Sequence, residues 1–581
     1  MLLKKLISIY VVTLMIFGAM QILNTEFSSN ATNTNNSTFI LGTTEDEPIT
    51  NQNPLTASGL SGDILGITYA DSLGYVFNNN GTVIPWSAHS WEITNNSKTI
   101  TFNLVHNAYW MDGTNKSMQF TSKDVIFTFN VIKSNSTLDV NNLFPEIENI
   151  SAPNNFTVVF TLQRSNPTVF DFIASQTIIP AAWKNYEPNL TSVGSYSNMK
   201  IGHQLSLGPM ILTNIGASSV TLVKNPYFFM GSPHFSKEII DLFESSSSMV
   251  ESLETGAIDA TYVDPNNLYS QINSYPGLKA VAFKTAFNLV LWFNDNVSPY
   301  NNTDFRIGLS YAINDTLILN KAEDKLGGPV NLGGLPWSLS SYYNSTIGSP
   351  VFNYTEANNY FVKSGLHLSN GHWEYKNGTD VVLNFIDLEE ADWDAAMSIM
   401  QSELRVDNFT VNFKVVPTEV WENDIFSTKN YTYASFFNFG PLLANSWFAL
   451  WAEYSYNGYW NFEKYNNANV NNLFNVSENE TFNSPAFNNT LYEIQGIIAS
   501  QMPTVQVIGA EVYYAYAVNK VGGFYPDQQL ISPLDSLYAY TLSHSKGSID
   551  NTIYIIIGIS SAIIIFAAAA LLLIRRRKID E

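Results

Sequence analysis

At 581 residues the chain exceeds what one hydrophobic core supports, and two or three bodies are expected. A formal charge of −22, with only 28 Lys and Arg, leaves no basic face to meet phosphates and excludes nucleic acid as a partner. The lack of any cysteine excludes disulfides, thiol catalysis, cysteine-based zinc sites and a bacterial lipoprotein anchor. Such an acidic, lysine-poor composition suits an acidic exterior, where carboxylates are neutralised and self-repulsion falls.

The chain opens with Lys4 and Lys5 ahead of an apolar run from Leu6 to Met20, the pattern of a secretory signal over residues 1–24. An Asn/Ser/Thr-rich linker over 25–38 follows. Phe39-Ile40-Leu41-Gly42 begins the folded part as a strand, and Thr99 to Leu104 alternates with the period of a half-buried strand. Trp110-Met111-Asp112-Gly113 is a turn signal, with Asp112-Gly113 serving the turn rather than a carboxylate site. Thr121 with Asp124 three residues on predicts a capping box at the start of a helix that continues through Val125 to Ile132.

Further strands are expected at Phe156–Leu162 and Val220–Val223. Met249–Leu253 reads as a helix ended at Gly256 and followed by a strand. Phe287–Phe293 suits a buried strand, Asp304–Ile313 and Ala391–Leu404 read as helices, and Thr410–Val416 as a strand. Intermixed strands and helices without an internal repeat define an α/β chain with mixed sheets. At the far end, a stalk over 546–552 leads to Ile553–Ile574, an apolar stretch of about 22 residues, near 33 Å as a helix and long enough to span a bilayer. Arg575, Arg576, Arg577 and Lys578 then place the tail 575–581 in the cytoplasm and everything before Ile553 outside. About twenty N-x-S/T sequons, among them Asn30, Asn80, Asn135, Asn155, Asn189, Asn344, Asn353, Asn408 and Asn475, agree with export as a glycoprotein.

Taken in order, these segments resemble the extracytoplasmic solute-binding proteins of peptide, nickel and oligosaccharide ABC importers, family 5, with an archaeal-type C-terminal anchor. The likeness runs from about Phe39 to Phe524. It is strongest where the strand at Ile100, the turn Trp110-Met111-Asp112-Gly113 and Thr121-Ser122-Lys123-Asp124-Val125-Ile126-Phe127 follow one another, departing at Ser122, where the family has alanine. Asn166-Pro167, Leu207-Gly208-Pro209, Lys224-Asn225-Pro226-Tyr227-Phe228, Leu253 to Asp259, and Asp304-Phe305-Arg306 through Asn314 continue it in the family's order.

The resemblance implies a bilobed fold like the periplasmic binding proteins, type II, in the large form with an extra subdomain, plus one C-terminal transmembrane helix. Lobe 1 would span 39–283 with the subdomain inserted at about 65–195. Lobe 2 would span 284–519, and 520–545 would return to lobe 1. It also implies a ligand between the lobes, a permease and ATPase as partners, and no cofactor. Arg306, on its helix, is expected to tie lobe elements by an ion pair.

One segment is dense in aromatics: Phe436, Phe437, Phe439, Trp447, Phe448, Trp451, Tyr454, Tyr456, Tyr459 and Trp460. Rings at this density, among glycines and asparagines, suit a pocket wall as well as a core. Trp337, after Gly333-Gly334-Leu335-Pro336, is a loop aromatic of the same kind. The candidate ligand-binding residues are therefore Trp337, Asn438, Phe439, Asn445, Trp447, Trp451 and Tyr454. In peptide-binding members of the family an aspartate in the segment equivalent to Asn438–Asn445 pairs with the ligand's α-ammonium. This chain has no acid there, and Glu453 is the nearest one. That departure raises an oligosaccharide ligand beside the oligopeptide that the resemblance implies.

Catalysis finds no motif: there is no Gly-x-Ser-x-Gly, no His-Glu-x-x-His and no P-loop. His367 and His372 lack acids at metal spacing, and Glu389, Glu390, Asp392 and Asp394 read as a solvated helix start. The expected function is thus an oligopeptide receptor of an ABC importer, with an oligosaccharide receptor and an adhesive surface glycoprotein as alternatives.

Overall fold

The structure is a computed structural model that describes residues 38–520, apart from short gaps and the stretches 45–52, 58–63, 77–82, 139–143, 186–204, 264–267, 389–393 and 440–445. The expected signal, most of the linker, the stalk and the membrane helix lie outside the described residues. Among the described residues no helix is long and apolar enough to cross a membrane.

Ten strands form one sheet: β1 (Thr38–Thr43), β2 (Met210–Ile215), β3 (Ser219–Lys224), β4 (Lys237–Leu242), β5 (Ala260–Val263), β6 (Leu278–Phe293), β7 (Val382–Leu388), β8 (Thr410–Val416), β9 (Ala434–Phe439) and β10 (Val505–Ala517). Their order is β2-β3-β4-β1-β5-β10-β6-β9-β7-β8. The long central strands β6 and β10 pair antiparallel and pass from one half of the sheet to the other. The first half buries Phe39, Leu41, Leu222 and Ile240 on one face, and Leu253, Ala280 and Tyr513 on the other. The second half packs Leu289, Leu291 and Phe293 against helices α3 (Thr303–Ala312), α4 (Tyr354–Lys363) and α5 (Asp394–Val406). A further core lies between α6 (Ser446–Tyr454), α7 (Ala468–Ser477) and α8 (Pro485–Gln501).

The inserted subdomain has its own four-stranded sheet and its own core, around Phe102, Trp110, Phe120 and Phe160. Its helix α1 (Ser122–Ser134) opens with the expected capping box. The buried Asp124 carboxylate accepts from Thr121 N at 2.8 Å and, on its other oxygen, from Ala181 N at 2.8 Å, so the cap also fixes the chain that follows the subdomain sheet. The helix α2 (Ser246–Glu254) likewise stops ahead of Gly256, whose φ is +76°.

Two expectations change. β10 starts the return to the first body a few residues ahead of the expected 520: Val505 pairs in the second body, whereas Tyr513–Tyr516 pair with β5, and all but the first residue of the expected return over 520–545 lies outside the described residues. Arg306 does more than form an ion pair. Its buried guanidinium donates to the carbonyls of Tyr300, Gln501 and Met502 at 2.7 Å each, while Asp295 stands at 3.5 Å. It therefore satisfies carbonyls at the C-terminus of α8, where a cation is also favoured by the helix dipole.

Candidate functional site: the gap between the two halves of the sheet

Register locates the gap. β5 runs alongside β10 so that Ala260 faces Tyr516 and Val263 faces Tyr513, which puts the C-terminal end of β5 toward the centre of the sheet. β1 is parallel to β5, and β4 is parallel to β1, so Thr43 and Leu242 end on the same side. In the other half, Phe439 at the end of β9 faces Asn288, whereas its start, Ala434, faces Phe293. β7 and β8 run parallel to β9, so Leu388 and Val416 point back toward the same place. Six strand ends from two bodies thus face one gap, with β6 and β10 as the connection across it. The crevice outside the carboxyl ends of strands is where open α/β sheets bind ligands.

The crossing strands lose regular pairing there. Lys284 pairs with Glu511, but the next paired residue is Asn288, opposite Gly509. The loop after the helix Asp315–Lys321 closes over this irregularity: Gly328 and Gly509 exchange backbone hydrogen bonds at 3.1 and 2.9 Å. Trp337 lies on both glycines. Its backbone N–H donates to Asn288 Oδ1 at 2.8 Å, and Asn288 Nδ2 donates to Leu335 O at 3.1 Å and Gln506 Oε1 at 2.9 Å. The ammonium of Lys284 stands 4.3 Å from the centre of the Trp337 ring, a cation–π contact. Burial pushes the Glu511 carboxyl above its ordinary range, against the opposing effects of a hydrogen bond from Gly327 N and the nearby Lys284.

The sequence candidates divide. Trp337 sits at the crossing point. Asn438 and Phe439 form the last pairs of β9, facing Leu289 and Asn288. Asn445 lies outside the described residues. Trp447 is 3% exposed; its indole donates to Ser477 Oγ at 2.6 Å and its ring stacks on the half-buried Trp451 at 5.7 Å. Tyr454 is fully buried; its hydroxyl donates to Glu453 Oε1 at 2.8 Å and accepts from Gln506 Nε2 at 3.3 Å. Trp447 and Tyr454 are therefore in the packed interior of the second body. Glu453 is buried with them, and burial pushes its carboxyl up to about 8. Such an acid is neutral over most of the physiological range and faces protein, so it does not supply the missing counter-charge. Sequence reasoning passed over Lys284, Asn288, Gln506 and Glu511; the signal was the single polar residue, Asn288, inside the apolar run Phe287–Phe293.

Residues 82–467 match the bacterial extracellular solute-binding proteins, family 5, middle region. The chain belongs to this family. A candidate ABC transporter peptide-binding protein of Brucella ovis is 28% identical over 287 residues, 48% of this chain and 52% of its own. The chain so spans about half the length of the curated relatives it matches first.

Among solved structures, the fold is similar to oligopeptide-binding AppA of Bacillus subtilis in complex with a nonapeptide, with a TM-score of 0.70 and 15% identity over 88% of this chain and 99% of that one. It is also similar to the mannohexaose-bound periplasmic oligopeptide-binding protein of Thermotoga maritima, with a TM-score of 0.69 and 19% identity over 88% and 98%. These likenesses carry the bilobed fold of a family 5 binding protein.

Proposed function

We propose that this family 5 chain is the receptor of an ABC importer, capturing oligopeptides between its two bodies and presenting the closed form to a permease driven by a separate ATPase. The observation that carries the reading is the convergence of six strand ends on a gap bridged by two irregularly paired strands. Closure about β6 and β10 buries a ligand and turns its binding energy into a shape another protein can read. Trp337, Asn438, Phe439, Asn445 and Trp451 are the proposed contacts, with Trp447 and Tyr454 buttressing that wall from behind. In the same reading, 1–24 directs export and Ile553–Ile574 holds the receptor at the cell surface.

A second reading, an oligosaccharide receptor, is favoured by one observation: residues 438–445 contain no acid, and Glu453 is buried and bonded to Tyr454. Neutral sugars need ring stacking and amide hydrogen bonds rather than a carboxylate. Thermal shift of the purified chain against pooled oligopeptides and pooled oligosaccharides decides. Peptides at roughly 100 times Kd should raise Tm by a few degrees. Stabilisation by sugars alone selects the second reading. No response to either leaves an adhesive surface protein, and consumption of the oligomers reveals a hydrolase.

A further inference from the structure

The inserted subdomain also reaches the second body directly, beside α6 and α7. Arg164, just after the subdomain strand Thr157–Leu162, forks onto Glu146 of its own subdomain, with Nε at 3.1 and 3.0 Å from the two carboxylate oxygens and Nη2 at 2.7 Å. Its remaining nitrogen, Nη1, donates to Glu478, the residue that ends α7 in the second body. Nearby in sequence, Phe172 of the subdomain helix Val169–Ser175 meets Phe448 of α6 edge-on, with ring centres 4.8 Å apart. Phe172 is buried among second-body residues rather than in its own subdomain core. The subdomain is otherwise tied to the first body: Trp86 packs on Phe228 and Phe229, and Asn107 Nδ2 donates to Phe229 O.

We propose that Arg164, Glu146 and Glu478, with Phe172 against Phe448, form a clasp that holds the gap shut and sets how readily the receptor opens to exchange ligand. The clasp rests on the reading of the gap as a ligand site. Arg164 is a positioning residue: it joins the bodies and does not touch ligand. One guanidinium between two carboxylates, one on each body, is satisfied only when the bodies meet. Opening leaves Glu478 without its cation while Arg164 keeps Glu146, so the ionic part favours closure without locking it. The Arg164 side chain is 51% exposed, so salt weakens this part. The Phe172–Phe448 contact is apolar and supplies a part that salt does not screen.

The chain has no native cysteine, so Ala152→Cys in the subdomain and Asn472→Cys on α7 label cleanly with a fluorophore pair in the full chain. Single-molecule energy transfer without ligand reads the closed-to-open ratio. Arg164→Gln and Glu478→Gln should each lower that ratio about two- to five-fold, and the double variant no further than either single one. Raising ionic strength from ~0.05 to ~1 M should lower it in the parent and leave the double variant unchanged. Additive effects, or an efficiency that neither salt nor substitution moves, overturn the clasp. The salt arm needs no variant and stands even where a substitution impairs folding. Because it is read without ligand, the clasp can hold while peptides and mannohexaose both fail to bind, and either failure is recognised separately.

Discussion

At Gly509 a single methyl group decides whether Trp337 keeps its seat. A Cβ there would lie 2.2 Å from Trp337 Cγ, and one at Gly328 would lie 2.1 Å from Cζ3 of the same ring. Gly509→Ala must therefore push the indole off the crossing strands, and overpacking of this kind costs about 1–3 kcal/mol. The urea midpoint should fall accordingly, and Trp337→Ala in the same chain should recover part of the loss, since the two substitutions share one contact. An unchanged midpoint in the single variant would show that the ring has room to spare. At this scale the sequence was ambiguous about aromatics. Trp337, Trp447 and Tyr454 look alike as letters, yet one lies on the crossing strands and two are in the interior. What separates them is which partner reaches each ring: Ser477 arrives 30 residues from Trp447 in sequence, and Gln506 arrives 52 from Tyr454. Neither distance leaves a local pattern.

Elements were more legible where they are set by neighbours in sequence. The capping box at Thr121, the helix ending before Gly256 and the run that became the second half of β6 depend on residues within one or two turns, and each is present. Where the return begins was not legible, because β10 is a strand whose role depends on its partners: its first residues pair in one body and its last in the other. Asn288 is the polar joint of that crossing. It is buried, and it links β6 to β10 through Gln506 and to the 335–337 loop through two backbone groups. Asn288→Ala leaves the Trp337 N–H and Gln506 Oε1 without this partner, at a cost of about 1–3 kcal/mol for each buried group left unpaired. Urea unfolding of Asn288→Ala, Gln506→Ala and the double variant should give losses that fall short of adding. Strict additivity would mean that the two amides act independently of one another.

The whole molecule carries its acidity inside as well as outside. Glu238 on β4 is fully buried between Phe39 and Leu222, its neighbours in the sheet, and neither carboxylate oxygen has a hydrogen-bond partner among the described residues. Burial pushes it from 4.5 to about 8. Burial also raises Glu403 and Asp407 to about 7, partly offset by hydrogen bonds from Asn314 N and Asn358. A carboxyl whose folded value lies above its unfolded value binds its proton more tightly in the folded chain. Its stabilising contribution is complete below about pH 4.5 and is lost as the pH rises through the folded value near 7 or 8. The loss runs on the order of 1.4 kcal/mol for each pH unit crossed in between, per group. The net charge of −22 acts in the same direction, since surface carboxylates repel less as they are protonated. Calorimetry from pH 8 down to pH 5 should therefore show Tm rising. Glu238→Gln, which keeps the shape and removes the ionisation, should raise Tm at pH 8 more than at pH 5 and flatten the profile. A parent Tm that falls on acidification, or a Glu238→Gln profile parallel to the parent's, would separate the buried acids from the acid preference read in the composition. The rise with acid in the parent, flattened in the variant, would tie an acidic exterior to one position in the first body's core.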